Sequence, residues 1–359
     1  MSVAQRLKKS LLAVMLAAAI PLAVAAQNAP SVPVPPQVQN PVQLQNSAQP
    51  LNPVQSLAAA NAALQAGEAD KALSLLSNIP SSGPGLAMGH NLICRVRYTL
   101  GQWDAAATEC EQAAQLDPGN SNFHLWLGRA LGEKASRASF ITAFSLAKRT
   151  RGEFEESVRL NPRNAEALAD LGDFYRQAPG VIGGGIDKAE GIVARLDKID
   201  PGLAHKLHGQ IAEQEKDFPG AEDEYKETIA AGMHPAIGWA TLASFYARRQ
   251  RFNEMETAVA SILPAALHDK HPGSALYDGA GLLIETNRNP ALAATMLEQY
   301  LASQYQTEEA PAFIAHFRLA RLKQQLGDEP AANRERAAAL ALAHDYKPAQ
   351  DSVSQSATR

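Results

Sequence analysis

Residues 87–120 read AMGHNLICRVRYTLGQWDAAATECEQAAQLDPGN. Counted as positions 1–34, the stretch carries Ile93 at 7, Cys94 at 8, Gly101 at 15, Trp103 at 17, Ala106 at 20, Ala113 at 27 and Pro118 at 32. Small side chains at 8 and 20 let two antiparallel helices approach closely, and the proline ends the second of them. One such unit cannot bury its own apolar face, so the fold depends on whether the register recurs.

It recurs. Residues 121–162 supply Leu127, Gly128 and Leu131, then Phe154 and an Asn161-Pro162 stop. Residues 165–201 supply Leu171, Gly172 and Tyr175, then Ala189, Val193 and Asp200-Pro201. Four further units follow, on Gly209 with Tyr225, Ala243 with Val259, Gly281 with Ala293, and Ala320 with Ala332. A weaker unit with Ala60, Gly67, Ala72 and Leu76 precedes them all. Met255 at a small position and Lys323 at an aromatic one depart from the pattern.

This series resembles the tetratricopeptide (TPR) repeat, a helix–turn–helix unit of 34 residues. The resemblance implies an all-α solenoid, a right-handed superhelix of about seven or eight antiparallel helix pairs over residues 55–345, its concave face lined by first helices. Residues 346–359, ending in SVSQSATR, read as a disordered tail.

Composition agrees with helices packed through small side chains. Aromatics are 6% of the 359 residues, within a hydrophobic total of 46%. Thirty-three basic against 37 acidic residues give a net charge of −4, which offers no electrostatic case for nucleic acid. Residues 1–26 read as a signal peptide: Arg6, Lys8 and Lys9 precede an apolar run and small residues suited to a signal peptidase. A periplasmic or secreted location follows, with an uncleaved membrane anchor as the alternative. Residues 27–54 are rich in proline and glutamine and read as a disordered linker.

Two units are oversized. Pro118 to Pro162 spans 44 residues and Pro162 to Pro201 spans 39, against the usual 34. The excess falls between the two helices of each unit, at 133–152 and 178–186, so both insertions share one edge of the array. The second contains Gly183-Gly184-Gly185 followed by Lys188, which invites comparison with a phosphate loop. The comparison fails. Ile186 and Asp187 intervene before the lysine, Ala189 stands where Ser or Thr would hold magnesium, and a helix precedes the loop where a strand is required. An enlarged turn, with Asp187 as N-cap or first-turn acid of the next helix, is the expectation. The first insertion joins Phe140, Ile141 and Phe144 to Lys134, Arg137, Lys148, Arg149 and Arg151. It reads either as a lobe for a partner or a membrane, or as a satellite core beneath a long loop.

No catalytic residue, cofactor site or metal site is expected. HExxH, G-x-S-x-G and cysteine–histidine metal spacings are absent from the sequence. His90, His124, His205 and His316 all fall at repeat position 4, where packing explains them. His205 and His208 would hold a metal only with further ligands. Cys94 and Cys110 lie in one repeat, at positions 8 and 24, and a disulfide and two buried thiols are both compatible with that spacing.

In TPR proteins positions 2, 5, 9, 12 and 13 face the groove. The resemblance therefore assigns partner contact to Asn91, Arg95, Tyr98, Asn122, Arg129, Asp173, Arg176, Lys206 and Gln210, with Phe140 and Phe144 added at the insertion edge. Trp126 stands where the two-carboxylate clamp of chaperone-tail-binding TPR domains uses asparagine. The expected function is a non-enzymatic scaffold binding a protein or peptide in the groove or at the insertion edge, in envelope assembly or export. An enzyme or small-molecule binder using that edge, and a membrane-recruited subunit, are the alternatives.

Overall fold

The structure, a computed structural model, describes residues 52–79, 82, 83, 85–231, 234–269 and 272–357. The expected signal peptide and nearly all of the expected linker lie outside the described residues.

Seventeen helices and no strand occur among the described residues. Sixteen form eight antiparallel pairs. They are α1 (Pro53–Gln65) with α2 (Ala69–Leu76), α3 (Leu86–Thr99) with α4 (Trp103–Leu116), and α5 (Ser121–Ala135) with α6 (Phe140–Leu160). Then come α7 (Ala165–Gln177) with α8 (Ile186–Leu196), α9 (Pro201–Glu215) with α10 (Phe218–Ala230), and α11 (Pro235–Arg248) with α12 (Phe252–His268). The last are α13 (Ala275–Glu285) with α14 (Pro290–Ala302) and α15 (Ala312–Gln325) with α16 (Glu329–Leu342). Each pair packs on the next. The architecture is a TPR-type solenoid.

The connections between pairs terminate one helix and start the next. In Asp117-Pro118-Gly119-Asn120 and Asn161-Pro162-Arg163-Asn164 the proline stops the helix, and the final Asn accepts hydrogen bonds from the amides of Asn122 (3.1 Å) and Ala167 (3.1 Å). Within pairs, the small residue at position 8 is a packing requirement. A Cβ on Gly128 would run into the Phe154 ring, so that aromatic fills the space glycine leaves. At the same position in the second pair, Cys94 is joined to Cys110 by a disulfide with Cα atoms 5.3 Å apart, which ties α3 to α4.

The array curls until its ends meet. Phe313 at the start of α15 is buried in one core cluster with Ala60, Leu64, Leu76, Leu92 and Val96 of the first two pairs. Asp70 of α2 accepts the backbone amide of His344 at 2.8 Å and pairs with its imidazole at 2.8 Å. Gly67, in the α1–α2 turn with φ +69°, lies so near the start of α15 that a Cβ would strike the Ala312 amide.

Three expectations are corrected. The tail expected to be disordered from 346 forms α17 (Lys347–Ala357). It starts where Tyr346 packs edge-on against Phe313 and Phe317 at 5.0 and 5.6 Å, and its Ala349 is fully buried, so apolar contacts fix its beginning. At the other boundary helix starts at Pro53, inside the expected linker, because Asn52 and Gln55 form a capping box. The insertion at 133–152 is not a long loop: it lengthens α5 and α6, leaving a turn of only 136–139. Helix propagation over Phe140–Leu160 buries Ala143, Leu146 and Ala147 on the face toward α5.

Candidate functional site

Several charged residues of the first helices are paired with one another. Arg129 of α5 donates to Asp170 of α7 at 2.6 Å and to Glu166 at 3.3 Å. Arg176 bonds Asp173 at 2.5 Å and Gln214 of α9 at 3.2 Å, and Arg248 of α11 reaches back to Glu213 at 2.8 Å. Apart from Arg176–Asp173, which lies within α7, these contacts run from one pair to the next, so they stiffen the wall instead of presenting free charge.

Arg95 is engaged furthest away in sequence. Its Nε donates to Glu308 Oε2 at 2.9 Å, its Nη2 bonds Oε1, and Gln65 Nε2 donates to Oε1 at 3.0 Å. Glu308 is 6% exposed. It belongs to 303–311, the nine-residue connection from α14 to α15, where four residues join most pairs. Tyr300 pins this strap: its hydroxyl donates to the Ala310 carbonyl at 2.7 Å and accepts from the Thr307 amide at 2.9 Å. Burial pushes the Tyr300 hydroxyl pKa up to about 12. Trp126 carries both guanidiniums, with Arg95 5.3 Å and Arg129 4.7 Å from its ring, and Tyr98 packs edge-on between Trp126 and Trp103.

Enclosure shows in the titrating groups. Desolvation disfavours the Arg129 charge, but Asp170 and Glu166 outweigh it and hold the guanidinium above its ordinary range. Desolvation raises the carboxyls of Asp170, Asp278 and Glu309; at Glu309 the neighbouring Glu308 adds to the rise. Asp278 and Glu309 are themselves exposed, so solvent screens much of this rise.

The residues assigned to partner contact thus separate. Arg95, Arg129, Asp173 and Arg176 are committed to internal pairs, and Asn122 accepts from Asn164 at 3.2 Å. Asn91 is buried at 2% exposure. Lys206 is without an ion pair among the described residues. It lines a cavity of about 220 Å³ between α9, α10 and α11, together with Leu203, Thr228, Ile237 and Thr241. Gln210 is half-buried one turn further along α9.

At the insertion edge the two phenylalanines behave differently. Phe144 packs against the core, with Lys148 over its ring at 4.5 Å. Phe140 stays 54% exposed, with Ile141 at 83% and Val181, in the 180–182 turn of the second insertion, at 72%. The glycine run is a turn: Lys188 Nζ donates to the Gly183 carbonyl at 2.8 Å, Gly183 has φ +92°, and Arg151 donates to the Ile182 carbonyl at 3.0 Å. Gly185 occupies the N-cap position of α8 and Asp187 lies in its first turn. The lysine closes its own loop.

Sequence reasoning missed the strap. Its signals were the long connection between α14 and α15 and the Glu308-Glu309 pair within it.

No protein-family model matches the chain, and no curated protein matches it. Among solved structures, a thermophilic TPR protein of Thermus thermophilus is 21% identical, covers 55% of this chain and 99% of its own, and superposes with a TM-score of 0.41. Two structures of the MamA protein are each 17% identical, covering 51% and 49% of this chain and 93% and 95% of their own, with TM-scores of 0.32 and 0.31.

Proposed function

We propose that the chain is an exported, non-enzymatic scaffold that binds a protein partner through the insertion edge. The observation carrying this reading is the apolar lip of Phe140 and Ile141 at the start of α6, left in solvent while Arg95, Arg129, Arg176 and Arg248 are held in internal pairs. An exposed apolar group beside a rigid scaffold is what a protein interface needs at its centre. A protein is favoured over an anionic lipid surface because most of the basic residues here are neutralised by neighbours. Lys134 pairs with Asp104 at 2.8 Å, Arg137 with Glu133 at 2.8 Å, and Arg149 with Glu111 at 2.6 Å. Export is supported by the basic and apolar N-terminal sequence, and the Cys94–Cys110 disulfide suits an oxidising compartment.

The test is a photo-crosslinker at Ile141 in intact cells, with a fractionation that locates the chain. A discrete crosslinked protein, lost in Phe140→Ser/Ile141→Ser while the helical circular dichroism is kept, is the expected result. Absence of any crosslink from the lip, or recovery of the chain in the cytoplasm, contradicts the reading.

A further inference from the structure

We propose that the wall formed by Gln65, Arg95 and Trp126 is a recognition site for an extended acidic segment of a partner protein. In this structure the chain's own Thr307-Glu308-Glu309 holds it. The proposal rests on the reading of the chain as a protein-binding scaffold, but concerns a second contact inside the curl, apart from the lip.

Four observations carry it. First, the wall recognises a carboxylate. Glu308 takes two bonds from the Arg95 fork and one from Gln65, so donors from two successive pairs converge on one group. Second, the donors are held in place before anything binds. Both the Arg95 and the Arg129 guanidiniums lie over the Trp126 ring of the third pair, and Asp170 fixes Arg129 in turn.

Third, the ligand comes from a connection and not from the wall's own helices. The strap 303–311 lies outside any helix and reaches a wall more than two hundred residues earlier in the chain. A partner segment of the same chemistry can therefore replace it without unfolding a helix pair.

Fourth, the strap satisfies the wall incompletely. Asn91, one turn before Arg95 on the same helix face, is buried with its Nδ2 donating to nothing. Glu309 has no ion pair among the described residues and faces Glu308 and Glu166 as well as Arg129, so its charge is opposed where it sits. A segment presenting one carboxylate to Arg95, with a neutral acceptor in place of the second, meets the wall better than the strap does.

A fluorescein-labelled peptide of residues 303–311, SQYQTEEAP, is the probe, read by fluorescence anisotropy on the purified chain. The Glu308→Ala/Glu309→Ala variant, with its strap disarmed, should bind it at least tenfold more tightly than the unaltered chain. Adding Arg95→Gln should cost at least tenfold, and a peptide with both glutamates changed to glutamine should not bind. Equal binding by the strap variant and the unaltered chain, or binding indifferent to Arg95→Gln, overturns the proposal. Should the strap variant misfold, hydrogen exchange on the unaltered chain decides: excess peptide should accelerate exchange at 305–310, and unchanged exchange overturns the proposal. Phe140→Ser/Ile141→Ser should bind the peptide normally, so failure of the lip reading and failure of this one are separable.

Discussion

His90 Nδ1 lies 2.6 Å from Glu109 Oε2, nineteen residues on, and joins the two helices of its pair. The same clasp recurs at the same spacing between His205 and Glu224 at 2.8 Å and between His316 and Glu335 at 2.6 Å. His124 uses Glu153 at 2.7 Å, twenty-nine residues on, because the first insertion displaces its partner by ten. The position-4 histidines are therefore polar staples, not the packing residues expected from their register.

At His124 the clasp has a pH consequence. The hydrogen bond to Glu153 raises the imidazole pKa above its ordinary value against the opposing effect of burial. A raised histidine contributes stability that is complete below about pH 6.5, its unfolded value, and is lost as pH rises through the folded value. Glu153→Gln should remove about 1 kcal/mol at pH 5.5 and little at pH 8.5. Chemical denaturation at both values checks it.

Asp278 has the opposite chemistry and the same sign. Desolvation raises its carboxyl, so the folded state holds that proton more tightly than the unfolded chain does. Stability is therefore lost as pH rises from the unfolded carboxyl value through the folded one. Asp278→Asn keeps an acceptor for the Ser274 hydroxyl, which donates to Asp278 at 2.7 Å. Asp278 is exposed, so the effect is small: the variant should melt slightly higher than the unaltered chain at pH 8 and show a slightly flatter pH dependence.

The disulfide closes a loop of sixteen residues. Reduction, or Cys94→Ala/Cys110→Ala, should cost about 3 kcal/mol. Guanidinium denaturation with and without reductant measures this, and an unshifted midpoint would contradict it.

Phe140 and Phe144 are expected to separate by stability. Phe144→Ala removes a ring packed on the core and should cost about 2 kcal/mol, whereas Phe140→Ala should fall within about 0.5 kcal/mol of the unaltered chain. The lip residue can then be altered for binding experiments without disturbing the fold.

The repeat was legible because its determinants are local. Gly128 opposite Phe154, Pro118 as a stop and Asn120 as a cap each act within one unit, and periodic recurrence made them visible. The extra length of the third unit was legible in sequence but its form was not: a helix that propagates from Phe140 needs no signal beyond ordinary helix-forming residues. The inner face was least legible. Groove positions identify which way Arg95 points, but nothing within its repeat reveals that Glu308 will meet it. That contact exists only because eight pairs curl far enough to bring the first against the last.

Closure itself can be separated from backbone strain. Gly67 and Gly327 both have positive φ in the turn within a pair, yet a Cβ on Gly327 meets open space and one on Gly67 strikes Ala312. Gly327→Ala should cost about 1 kcal/mol from conformation alone, and Gly67→Ala about 1–3 kcal/mol more. Equal losses in thermal melts would mean that the first and last pairs do not press together.

The most direct test of the account is a distance between those ends. Spin labels at Asp70→Cys and His344→Cys, with the native disulfide left oxidised, report it by double electron–electron resonance. The closed array expects one narrow distribution at the short limit of the method, since the two side chains lie 2.8 Å apart. A long or broad distribution would show an open solenoid and contradict it.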